Sequence, residues 1–272
     1  MRRVTWLLSL ALISGCAAES TATPAPAKGP DPRPRMEQIK ADCMKQKGFK
    51  YVPYITPDRP DPDLSSYEAM KTYRQKYGFG VFGQFVFPKD PLTGSIESDP
   101  GKNDPNRAIS AKLNDSQHEA YNEAKDGCYQ KAAKEVLKKE AESMLDGATL
   151  LRGAREELEA TEIDGDPELV ALASDMGKCL VGKGRRVSST QPTTLAKRGE
   201  ELFWDEMEKL GDNPHEMPDI TPEQARPHLD KEVKAALEDL ECGKEFYTRY
   251  APKKASISAR VWAEYGPLLG AF

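Results

Sequence analysis

Five cysteines carry most of the chemistry that this sequence can claim. Cys16 follows Ile13-Ser14-Gly15, and ahead of these lie a basic start (Arg2, Arg3) and a short apolar run from Trp6 to Ile13. That run falls well short of the roughly 20 residues a bilayer-spanning helix needs, and small residues before a cysteine suit a peptide that is cut away. The pattern predicts that residues 1–15 are a lipoprotein signal peptide and that Cys16 is diacylated and begins the mature chain. Two acyl chains anchor stably where one is marginal, at about 0.8 kcal/mol per buried methylene. The plainer alternative is a secretory leader with an incidental cysteine at its cleavage site. Arg2-Arg3 also fits twin-arginine export, but nothing beyond that pair matches it, so the ordinary route is expected.

Cys43, Cys128, Cys179 and Cys242 remain. An even number in an exported chain reads as two disulfides, although four cysteines allow three pairings and the count does not choose among them. Four reduced, buried thiols are the alternative. Zinc is disfavoured, because no two of these cysteines are close in sequence and the only histidines are His118, His215 and His228.

Other constellations come close to known chemistry and stop short. Gly78-Phe79-Gly80-Val81-Phe82-Gly83 has GxGxxG spacing, but a dinucleotide site needs a strand before it and a helix N-terminus at its end. Here a charged helical run precedes it, and Phe85, Phe87 and Pro88 follow. Tyr77, Phe79, Phe82, Phe85 and Phe87 can instead form an aromatic pad that offers flat faces to sugar rings or to a partner protein, or they can pack in a core. His118-Glu119 opens like a zinc-protease helix, yet the second ligand position holds Asn122, and His215-Glu216 sits beside prolines without a partner motif. Asp164-Gly165-Asp166 lacks the rest of a calcium loop, and helix capping accounts for Asp166. No serine occupies a GxSxG turn, and the carboxylates are spread along exposed helix faces. No catalytic residue, metal ligand or cofactor is therefore expected.

Composition narrows the partners. Of 272 residues, 31% are charged and 38% hydrophobic, so core is modest for the length; the formal net charge is -5, and loss of Arg2 and Arg3 with the leader makes the mature chain more acidic. Nucleic acid is not a partner for such a surface, and anionic lipid would not attract it, so the acyl chains must hold it at the membrane. Ala17 to Arg35 is small, polar and proline-rich, and reads with Cys16 as a disordered spacer over 16–35.

The elements that must position these residues are mostly helical. Met36, Ile39 and Cys43 share a face of a short helix ended by Gly48; FKYVPYI then reads as extended, and Ser65 to Tyr77 as a second helix. Lys89 to Arg107 is loop by composition. Ser116 to Glu119 reads as a capping box that opens a long helix with Tyr121, Ala124, Cys128, Ala132 and Val136 on its buried stripe. A weaker helical stretch runs to Glu162 with interruptions near Gly147 and Gly153. Asp166-Pro167 caps a helix that buries Leu169, Leu172, Ala173, Met176, Cys179 and Leu180. Another helix is predicted from Leu195 to Leu210. Thr221 to Gln224 is a second capping box, with Pro227 expected to break it so that the main helix starts near Asp230; its Val233, Leu237 and Leu240 share a face opposite Cys242 and Phe246. A last amphipathic piece spans Ile257 to Leu269.

Two stretches resemble each other. Asp42-Cys43-Met44-Lys45-Gln46-Lys47-Gly48 has its counterpart in Lys178-Cys179-Leu180-Val181-Gly182-Lys183-Gly184, and each has a further cysteine far downstream on a helix. A duplicated helical module favours pairing Cys43 with Cys128 and Cys179 with Cys242; chance likeness between helix ends is the alternative. The modules would span 36–150 and 151–272.

Cys43-Met44 with Gly48-Phe49, then Tyr77-Gly78-Phe79-Gly80, Asp104-Pro105-Asn106 and Gly127-Cys128, is similar to a group of secreted lipoproteins from actinomycetes. Asp166-Pro167-Glu168 ahead of Cys179, and the late helix with Cys242, extend the resemblance over most of the chain beyond the spacer. Gly177 and Leu180 depart from the bulky residue and the methionine expected around the third cysteine. The resemblance implies a helical extracytoplasmic protein and no particular activity. The expected fold is a mainly α bundle of two similar disulfide-stapled halves with a short extended aromatic and glycine segment. The expected role is non-enzymatic binding at the cell membrane, on its extracytoplasmic face, of envelope polysaccharide or another envelope protein. An envelope hydrolase using two helix-borne carboxylates, about 5 to 9.5 Å apart, is the alternative.

Overall fold

Helix signals in the sequence translate into ten α-helices and no strand among the described residues of a computed structural model, which are 30–58, 60–95, 99–211 and 217–269. The helices are α1 (Arg33–Gln46), α2 (Tyr67–Tyr77), α3 (Gly83–Val86), α4 (Pro105–Ser110), α5 (Asp115–Ala132), α6 (Met144–Glu159), α7 (Pro167–Gly182), α8 (Pro192–Glu208), α9 (Pro222–Cys242) and α10 (Lys244–Tyr265). Cys16, the signal peptide and the spacer as far as residue 29 lie outside the described residues, as does His215.

Two disulfides lash the bundle. Cys43 on α1 joins Cys128 on α5 with Cα atoms 5.6 Å apart, and Cys179 on α7 joins Cys242 on α9 at 5.5 Å. This is the pairing that the internal similarity favoured. Asp31–Phe272 forms one compact unit. Its buried apolar residues fall into four clusters. The largest gathers Ile163, Leu169, Met176, Leu180, Leu195, Phe246, Tyr247 and Ile257 from the later helices, together with Met70 of α2. A second brings Leu268 from near the C-terminus onto Met36, Ile39, Tyr129 and Ala132. A third packs Val81, Phe82 and Val86 against Phe203, Met207, Ala225 and Leu229. The fourth surrounds the first disulfide with Met44, Tyr121 and Ala124. α2 and α3 pack on α9, so residues 67–86 join the later helices across the 150/151 boundary.

Local rules explain where elements differ from expectation. The spacer gives way to helix at Arg33, not after Arg35, because Pro34 occupies the first turn, where a missing N–H costs nothing. α5 starts earlier than Ser116: Asn114 is its N-cap and Gln117, not Glu119, closes the capping box, with bonds of 3.0 and 3.1 Å. α6 runs unbroken through Gly147 and Gly153. A Cβ at Gly147 would stand 2.7 Å from the Tyr129 hydroxyl, so this glycine leaves room for the end of the Tyr129 side chain against α6. α9 is capped by Thr221 and Gln224 as expected but continues through Pro227, because Ala225 and Leu229 hold its first turns in the third cluster. It ends at Cys242, which puts Phe246 on the separate helix α10. The stretch after Tyr77 is not extended: turns lead into the single helical turn α3. FKYVPYI lies outside regular structure.

Candidate functional site

The five aromatics of the expected pad stack on one another and on neighbouring helices. Tyr77 and Phe82 are buried, and Phe79, Phe85 and Phe87 are partly buried against the third cluster. Phe79 and Phe82 both meet Phe203 of α8, Tyr77 meets Phe87 edge-on at 5.8 Å, and the His228 ring stacks on Phe82 at 4.9 Å. This is the packed arrangement of the two alternatives. Under it lies Glu232 of α9, fully buried, whose carboxylate accepts the amides of Phe79, Val81 and Phe82 at 2.8 to 2.9 Å. Gly78 has φ +64, and a Cβ there would meet the Glu232 side chain at 2.6 Å, so the turn depends on this glycine. Burial pushes the Glu232 carboxyl up to about 7 against the opposing pull of those amides.

A second buried polar group ties α2 to the later helices. Arg74 pairs with Asp239 at 2.8 Å and lies over the Phe79 and Tyr247 rings, while Tyr247 donates to the same carboxylate and Arg198 reaches its other oxygen at 3.2 Å. Beside it is a cavity of about 250 Å³ with Tyr73, Phe79, Lys197, Glu200, Tyr250 and Lys254 in its wall.

The more polar opening lies beside the first disulfide. α1, α4, α5 and the strap 49–56 enclose a cleft of about 480 Å³. Sequence chemistry fixes each wall. Asp104 caps α4 by accepting the Asn106 amide at 2.8 Å. The Asn106 side chain then pairs with the strap backbone, accepting Val52 N–H at 2.9 Å and donating to Val52 O at 2.8 Å. Glu37 of α1, almost fully buried, accepts Tyr51 Oη at 2.9 Å, the Tyr54 amide at 3.1 Å and Lys40 Nζ at 2.6 Å. Burial pulls the Lys40 ammonium below its ordinary value despite the Glu37 charge, and pushes the Tyr51 hydroxyl up.

From α5, Tyr121 and Lys125 reach the same cleft. Tyr121 is 3% exposed, and its ring meets Phe49 edge-on at 5.5 Å. Its hydroxyl, like that of Thr56 in the strap, is buried without a hydrogen-bond partner among the described residues. Sequence reasoning placed Tyr121 in the apolar stripe of α5, which is correct for its ring. Nothing in the sequence flagged its oxygen, because whether a buried hydroxyl finds a partner is a property of the assembled fold, not of the helix that carries it.

The remaining candidates are structural. His118 Nδ1 lies 3.0 Å from the Asn122 amide nitrogen, the residue that stands where a second metal ligand would be. His228 pairs with Glu206 at 3.1 Å. Asp166 caps α7, and Asp164 accepts the Thr193 amide and hydroxyl, tying the end of α6 to the start of α8. No group of three or more metal-ligating side chains gathers among the described residues, and no helix among them is long and apolar enough to cross a membrane. No protein-family model matches this sequence, and no curated protein or solved structure matches it.

Proposed function

We propose that the protein is a lipoprotein tethered to the extracytoplasmic face of the cell membrane, which acts by binding a component of the envelope. The observation that carries the tether is the leader itself: a basic start, a short apolar run and Ile13-Ser14-Gly15 directly before Cys16. The remaining cysteines support the compartment, since all four are consumed in two disulfides and such bonds persist outside the reducing cytoplasm. The resemblance to secreted lipoproteins of actinomycetes points the same way. Membrane contact runs through the acyl chains. The formal charge of -5 gives no reason for nucleic acid, and leaves envelope polysaccharide or another envelope protein as the partner class. The cleft beside the first disulfide supports binding as the mode of action.

Labelling of producing cells with radioactive palmitate tests the tether. The wild-type chain is expected to carry label and Cys16→Ala to carry none. Equal labelling of the two, or none in either, removes the tether from this account.

A further inference from the structure

We propose that the cavity between α2, α8, α10 and the turn 78–79 binds a small aromatic carboxylate, a single ring bearing one acid group. This ligand is separate from the envelope partner above and does not depend on it. The site starts from two hydroxyls. Tyr250, 5% exposed, and Tyr73 both stand in the cavity wall, and among the described residues nothing bonds to the oxygen of either. Unlike the sealed hydroxyls of Tyr121 and Thr56, these two keep accessible surface, so a molecule in the cavity can reach them. Burial pushes both hydroxyls above the ordinary tyrosine value, so they stay protonated and able to donate.

The rest of the wall selects the charge of the ligand. Arg74, Lys197 and Lys254 line the cavity, whereas the carboxylates they pair with, Asp239 and Glu159, are 1% and 3% exposed and stand outside its wall. Glu159 is shared by both lysines. Burial pulls the Lys254 ammonium below its ordinary value, and the Lys197 and Arg155 charges pull the same way against Glu159. The one carboxylate in the wall among the described residues is Glu200, which is exposed and accepts Trp204 Nε1 at 3.3 Å. The cavity therefore offers its contents donors and positive charge. A cation would meet three like charges and Glu200 alone in its favour, and a hydrocarbon would leave the donors unpaired; a carboxylate meets them with charge-assisted bonds. Rings select the remainder of the ligand. Phe79 and Tyr247 join Tyr73 and Tyr250 in the wall, with the Arg74 guanidinium 4.9 and 4.8 Å from the first two ring centroids, and aromatic faces and edges favour another ring. The volume, about 250 Å³, exceeds the roughly 150 Å³ that accommodates benzene and falls below the roughly 300 Å³ at which drug-sized sites begin, so one ring with a substituent fills it.

Calorimetric titration of the purified full chain in detergent micelles, against a protein-free baseline, tests this with four probes: benzoate, benzyl alcohol, benzylamine and cyclohexanecarboxylate. Benzoate is expected to bind with a dissociation constant of about 1 mM or tighter, and more tightly than the other three. Tyr250→Phe keeps the ring against Phe246 and Tyr247 and removes only the oxygen, so benzoate should bind about tenfold more weakly. Its melting temperature should match the wild type, since the lost hydroxyl had no protein partner. Ala196→Leu puts a larger side chain into the cavity without altering a charge, and should abolish binding in a chain that still melts cooperatively. The proposal is overturned if benzoate does not bind, if any other probe binds as tightly, or if either variant, folded, binds benzoate as well as the wild type. A Tyr250→Phe chain that melts well below the wild type also overturns it, because the hydroxyl would then serve the fold. Should Ala196→Leu fail to fold, Tyr250→Phe alone decides.

Discussion

Glu232 illustrates how one residue can organise a segment that has no regular structure. Its carboxylate replaces the missing backbone partners of Phe79, Val81 and Phe82, and this is why an aromatic, glycine-rich stretch becomes a defined turn. The consequence for pH has a definite sign. The ordinary carboxyl value is 4.5 and the folded protein holds Glu232 near 7, so between these values the folded state binds more proton than the unfolded chain. Its contribution to stability is full below about pH 4.5, declines as pH rises to about 7 and is constant above, a change of ~3 kcal/mol. Thermal melts of wild type against Glu232→Gln across pH 4.5 to 7 check this: the difference between them should change with pH, and a constant difference contradicts it. Asp239 gives a second test. It faces both Arg74 and Arg198 while almost fully buried. Asp239→Asn leaves two guanidiniums without their shared carboxylate and should destabilise by about 3 to 5 kcal/mol in urea unfolding. Neither acid was legible in the sequence. Glu232 and Asp239 share α9 with four other carboxylates, Glu223, Asp230, Glu238 and Glu241; only the fold shows which ones turn inward.

At the scale of elements, caps and prolines were the most readable features, and their errors have physical causes. The Thr221 to Gln224 box was placed correctly. Pro227 was expected to end it, yet packing of Ala225 and Leu229 outweighs the lost backbone bond. Replacing that proline restores a donor inside α9, so Pro227→Ala should raise the melting temperature, by an amount equivalent to about 1 to 3 kcal/mol. A lower melting temperature would mean that the ring itself is needed. Asn106 carries the opposite prediction. Its side chain makes three bonds, one to Asp104 and two to Val52, and the latter two hold a strap with no partner strand. Asn106→Ala should cost about 2 kcal/mol and expose the Val52 amide to hydrogen exchange. Unchanged protection at Val52 would show that Glu37 alone fixes the strap. The strap's course was open in the sequence because side chains distant in the chain, not a ladder, satisfy its backbone.

Across the whole molecule, the helical class and both disulfides followed from periodicity and from the likeness of the two cysteine segments, because these depend on patterns repeated over many residues. The cleft did not, since it arises where α1, α4, α5 and the strap meet and no single segment encodes it. The disulfides close separations of 85 and 63 residues. Chain entropy gives each about 4 kcal/mol of stabilisation, which strain and residual structure in the unfolded chain reduce. Folded domains are typically stable by only about 5 to 15 kcal/mol, so contributions of this size matter. The central claim joins that braced helical body to a lipid anchor at its amino end. Intact-mass spectrometry of the native protein extracted from membranes tests both together. The account predicts a chain that begins at Cys16, carries the mass of a diacylglyceryl group and has all four remaining cysteines oxidised. A chain that begins at Met1 and reacts at four free thiols would contradict it.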